Sequence, residues 1–275
     1  MPCRHETGAV SVRILLRHHA RLHRVPLLPL AAGLAMFEWT MTFVARQPSV
    51  SSFLTTALRA APPELLTLIN QDLLSTVSAQ GIIGVGYTHP FTLIMMAVWA
   101  VRVPSAALAG EIGRGTMNLV AARPVTRAAQ IAAALAALLG GLAILAAAAW
   151  LGTVIGLWAQ PLPGVSAWRY LPVAVALWLT FAAFGVVGIL VSALNREAGP
   201  AIAWLSGLMA GSYVLDYTAR VWPRVAALRP LSLFRYYEPQ RVVRSGLAGS
   251  DLLVLGATAA GALLIALVWF ARRDL

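Results

Sequence analysis

The chain has 275 residues, of which 59% are hydrophobic and only 11% charged, with a formal net charge of +11. Soluble domains carry about 25% charged residues, so this composition excludes an ordinary soluble globule. Every basic side chain other than His is Arg, and the absence of Lys excludes a phosphate-gripping P-loop and Schiff-base chemistry on this chain.

Residues 8–24 carry Val10, Ile14, Leu15 and Leu22 near helical spacing, with Arg and His between them. That pattern predicts an amphipathic helix lying on a membrane surface. Cys3 is the single cysteine, which excludes an intramolecular disulfide and a Cys-based metal site. Long apolar runs without alternation follow. Lipid offers the backbone no hydrogen-bond partner, so runs of about 20 apolar residues read as membrane-spanning helices. Six are expected, at roughly 27–44, 88–108, 128–158, 170–194, 199–217 and 252–270, forming one transmembrane domain over 1–275. The polar stretch from Arg46 to about Gln80, punctuated by Pro62 and Pro63, reads as one or two short helices on the outer face. The third run is nearly all Ala, Leu, Gly and Ile, small residues that let helices approach closely in lipid. The fold class is therefore all-α, a polytopic membrane protein.

The polar segment between spans two and three is the most informative. It contains Glu111, then Gly115 and Thr116, then Pro124, Val125, Thr126 and Arg127. In order and spacing these resemble the first cytoplasmic loop of type-2 ABC exporter permeases, the ABC-2 type family. Two further pieces agree: Leu231 to Pro239, similar to the segment before that family's last span, and Phe270 to Asp274, similar to its ending. The resemblance implies that the loop forms a coupling helix near residues 115–123, which docks on a separate ATPase. Thr116 suits its cap and Gly115 the turn before it. Met117, Leu119 and Val120 offer an apolar face, while Asn118, Arg123 and Arg127 make directional contacts. Pro124 ends this helix and begins the next. The bland reading of the same residues is a capped, solvated loop helix.

The resemblance also implies partners: ABC ATPase subunits that supply the ATP and Mg sites, a second permease copy or paralogue, and membrane lipids. No cofactor is expected on this chain. The N-terminal stretch resembles the family's interfacial helix. The expected location is the inner (plasma) membrane with both termini cytoplasmic. Arg counting gives little support to that orientation, with eleven Arg on the side of the termini and nine on the other. Six of the nine lie between Arg220 and Arg244, mixed with Trp222, Phe234, Tyr236 and Tyr237. Such a mixture suits a membrane interface, and the family implies short re-entrant or interfacial helices there.

Ionisable groups inside spans are functional candidates. Glu38, about two-thirds along span one, reads as an ion-pair partner, a pathway lining or a group near the outer headgroups. Arg102 is within snorkelling reach of an interface. Asp216 lies close enough to the outer end of span five to be solvated. Arg235 and Tyr236 are candidates for an outer gate, and the Arg cluster for receiving an anionic or lipid-like cargo. An enzyme is not expected: four of the five His precede span one, only His89 lies near a span, and no His-Glu-x-x-His motif occurs. Nucleic-acid binding is not expected either, because the Arg residues lie between apolar spans. The alternative to an ATP-driven permease is a channel or a membrane scaffold.

Overall fold

A computed structural model describes residues 26–60, 78–113 and 126–272. The expected N-terminal interfacial helix and the coupling helix near 115–123 lie outside the described residues, as does the stretch 61–77. Among the described residues there is no strand, and six helical segments are long and apolar enough to cross a membrane.

Span one is α1, Pro26–Arg46. It is followed at once by α2, Pro48–Ala60, a short helix in the polar stretch where one or two were expected. Span two begins at Ala79, earlier than its apolar run predicts, and is built from two helices: α3, Ala79–Thr88, and α4, Pro90–Ala107. Ser78 starts α3 by accepting the Gly81 amide at 3.0 Å. The two helices join at His89, whose extended backbone ends α3 and whose Nδ1 accepts the Phe91 amide at 3.2 Å. Pro90 lacks an N–H and occupies the first turn of α4, where none is needed. A five-residue helix, α5, Ala109–Gly113, follows a break at Leu108.

Span three is α6, Arg127–Ala159, started by Thr126, which accepts the Ala129 amide at 3.2 Å. Its 33 residues extend about 50 Å at 1.5 Å per residue, well beyond a hydrocarbon core of about 30 Å. A 3-10 turn, Ala167–Tyr170, leads into span four, α7, Leu171–Leu194. Span five is α8, Ala198–Val221, and span six is α10, Gly249–Arg272. Between them lie two 3-10 turns, Ala226–Leu231 and Leu233–Tyr236, and a short helix, α9, Pro239–Ser245.

Span four is the hub. It has 72% of its apolar window buried, against 17% for spans one, five and six, and it packs on α4, α6, α8 and α10. Two indoles clasp span three from either side: Trp99 Nε1 donates to the Leu138 carbonyl at 3.2 Å, and Trp178 Nε1 to Leu139 at 3.0 Å. Span one rests on the other end of span three through two glycines one turn apart. A Cβ on Gly152 would lie 2.1 Å from the Ala35 carbonyl oxygen, and one on Gly156 would lie 2.0 Å from Thr42 Oγ1. This small-xxx-small spacing brings backbones into direct contact, the means by which helices associate where lipid supplies no hydrophobic drive.

Candidate functional site

Two regions carry the candidate residues, one at each end of the bundle. At the first, both ends of the loop between spans two and three are tied to other helices. The break at Leu108 frees the Ala109 amide from its helix, and Ser192 of span four accepts it at 2.9 Å in a buried site. This fixes the start of α5, which carries Glu111. At the end of α5, Gly113 lies against the turn between spans four and five, where a Cβ would stand 3.2 Å from the Arg196 carbonyl oxygen. Across the loop, Arg127 Nη1 donates to the carbonyls of Phe270 at 2.8 Å and Ala271 at 3.2 Å, and its guanidinium lies 5.9 Å from the Phe270 ring centre. A helix leaves its last carbonyls without internal partners, and a cation there also suits the helix dipole. Arg127, expected to face an ATPase, thus caps span six. Gly115, Thr116, Met117, Leu119, Arg123 and Pro124 lie outside the described residues.

The opposite end is built from the segment after span five. Ser232 Oγ donates to the Ser212 carbonyl at 2.7 Å, and the Leu233 amide donates to Ser212 Oγ at 3.1 Å. Ser212 precedes the end of α8 at Val221 by nine residues, about 14 Å of helix rise. The segment therefore folds back alongside span five. It places Phe234, buried, among Phe181, Phe184 and Tyr213, with ring centres 5.1 to 6.0 Å away. Beside this cluster, spans two, four and five line an open cavity of about 320 Å³, bordered by Leu93, Ile94, Phe181, Met209, Tyr213 and Phe234 among others. Its walls are almost wholly apolar.

An ion-pair chain holds the re-entrant segment in place. Asp216 is bound by Arg220 at 2.8 Å and by Arg229 at 2.9 Å. Glu238 takes Arg229 at 2.5 Å, Arg220 at 3.5 Å and Arg241 at 3.4 Å. Arg241 also pairs with Asp251 at the start of span six. Asp216 is only 7% exposed, so the expectation that it is solvated is corrected: two arginines substitute for water. Burial alone would lower the Arg229 value, but its bonds to Asp216 and Glu238 outweigh this and hold it above the ordinary one. Three arginines of the Arg-rich segment, Arg220, Arg229 and Arg241, are thus folded against carboxylates.

Of the two gate candidates, Tyr236 donates to the Pro230 carbonyl within its own segment at 3.0 Å, and Arg235 is half-buried. The residue that reaches the spans is Tyr237, whose hydroxyl donates to the Tyr87 carbonyl at 2.8 Å. Burial holds the Tyr237 phenol well above its ordinary value, so it remains a donor. A Tyr-Tyr pair in sequence does not say which of the two turns inward. Glu38 is fully buried, and among the described residues no basic side chain pairs with it, so the ion-pair reading is corrected. Its neighbour is Thr92, with Oγ1 3.4 Å from Glu38 Oε1. Arg102 is exposed. Among the described residues no group of His, Cys, Asp and Glu could hold a metal ion.

The family model for ABC-2 family transporter proteins matches residues 27–275. The chain belongs to the ABC-2 transporter family. Comparison with curated proteins gives no match, and neither does comparison with solved structures. Membership makes this a multi-pass membrane protein and the permease component of an ABC transporter.

Proposed function

We propose that this permease is driven by a separate ABC ATPase, pairs with a second copy or a paralogue, and exports an apolar or amphipathic cargo. ATP and Mg belong to the partner. The inner (plasma) membrane, with both termini cytoplasmic, is the setting, and the residues from Glu111 to Arg127 are the contact with the ATPase. The observation that carries this reading is the anchoring of both loop ends. A push on α5 reaches spans four and five through Ser192 and the Arg196 turn. A push on the start of α6 reaches span six through Arg127. A merely solvated loop has no need of such ties. The apolar cavity between spans two, four and five favours a hydrophobic cargo over an ionic one.

The test is purification of the chain in mild detergent from its own membrane. An ABC ATPase is expected to co-purify, and Glu111→Ala or Arg127→Ala to lower the ATP hydrolysis of the complex by about tenfold, on the order of 1.4 kcal/mol of lost coupling. Arg127→Lys keeps the charge but loses the planar fork and is expected to fall between. Flux or conductance in reconstituted vesicles without ATP, and no associated ATPase, would instead establish the channel reading.

A further inference from the structure

Glu38 sits at the meeting point of span one with both halves of span two. A Cβ on Gly86 would lie 2.5 Å from its Oε2, so only glycine leaves room for the carboxyl there. Oε2 is buried with no hydrogen-bond partner, and Oε1 lies 3.4 Å from Thr92 Oγ1. The Thr92 hydroxyl has one proton. It lies closer, at 2.9 Å, to the Gly86 carbonyl, which can only accept. With that proton so directed, a hydrogen bond across the longer Thr92–Glu38 contact takes a second one.

Other elements do not provide it. Three phenols lie within electrostatic reach of the carboxyl: Tyr87 of α3, Tyr170 before span four, and Tyr237 of the re-entrant segment. Tyr87 is bonded to Thr153 of span three at 2.9 Å. Tyr170 donates to the Gln80 carbonyl at 2.7 Å and Tyr237 to the Tyr87 carbonyl at 2.8 Å. His89, the remaining titratable neighbour on span two, has its ring against Phe37, 5.0 Å between centres. Among the described residues no guanidinium neutralises the carboxyl. A carboxylate without a counter-ion is very costly in such a place, whereas the unpaired carbonyl oxygen of an acid costs far less.

We propose that Glu38 is a membrane-embedded proton-binding site, a carboxylic acid that donates to Thr92 Oγ1 and seats span one on span two only while it holds its proton. Span one has little of its apolar window buried, so few packing contacts oppose its movement away from Gly86 when the proton is lost. The site makes the seating of span one sensitive to pH, and it does so without reference to ATP.

The full chain in lipid nanodiscs, uniformly labelled with 13C-glutamate, tests this by infrared spectroscopy. Among the described residues Glu38 is the only glutamate in a span, and an acid C=O band that persists at neutral pH and is lost in Glu38→Gln reports it. The band is expected in the wild type, absent from Glu38→Gln, and shifted to higher frequency in Thr92→Val, where its acceptor is removed. Amide exchange in span one is expected to rise with pH beyond its intrinsic base dependence in the wild type, but not in Glu38→Gln. Absence of the band at neutral pH overturns the proposal, as does the same exchange profile in both proteins. If Glu38→Gln does not fold, the labelled wild-type spectrum across pH decides alone.

Discussion

Asp216 has one carboxylate and two guanidinium partners, and its neutralisation is therefore felt by more than one element. Arg220 lies one turn further along the same helix, while Arg229 comes from the re-entrant segment. Asp216→Asn leaves both arginines sharing Glu238. Breaking a buried pair costs about 3–5 kcal/mol and an exposed one about 0–1. With Arg220 31% and Arg229 20% exposed, a loss of about 2 kcal/mol is expected. The apparent melting temperature in detergent should fall by about 4–8 °C, and the exposed Arg224→Ala should barely move it. No sequence pattern announces this pair, because its members lie thirteen residues apart across a chain reversal. The same holds for Glu38 and Thr92, on different spans. Their types marked both carboxylates as unusual, but what each one meets is set by tertiary packing.

At the scale of elements, the apolar runs were legible because a span must satisfy its own backbone, whatever its neighbours do. What the runs hid was the first half of span two. Its glycines at 81, 84 and 86 lower the apolar signal, yet they are what lets α3 lie close to Gln240 and Glu38. The Ala- and Gly-rich character of span three was also plain, but not which glycine meets which helix. Gly152 faces a backbone carbonyl that cannot rotate away, whereas nothing lies within 4 Å of a Cβ on Gly140. Gly152→Ala should therefore push span one off span three, at a cost of about 1–3 kcal/mol. Gly140→Ala should be neutral or stabilising by up to about 1 kcal/mol, the ordinary helix preference for Ala. Thermal unfolding of the two variants side by side checks the contrast, since only the local clearance differs between them.

For the whole molecule, orientation is the property the sequence handled least well, and the structure explains the difficulty. Arg content orients a chain when it is counted over short, simple loops near the span ends. Here three of the six Arg from Arg220 to Arg244 are engaged with Asp216, Glu238 and Asp251, Arg220 lies within span five itself, and the segment folds back along span five instead of standing out as a simple loop. The two turns at either end of span five nevertheless make a clean comparison. Arg196 and Arg224 are both exposed, and the 24 residues of α8 between them hold them about 36 Å apart. If both termini are cytoplasmic, five crossings place Arg224 outside and four place Arg196 inside. Cys3 is the sole cysteine, so Cys3→Ala gives a background in which Arg224→Cys or Arg196→Cys is the only thiol. A membrane-impermeant maleimide added to intact cells should label the first and not the second, and permeabilised cells should label both. The reverse pattern would invert the permease and, with it, put the loop from Glu111 to Arg127 out of reach of any cytoplasmic ATPase.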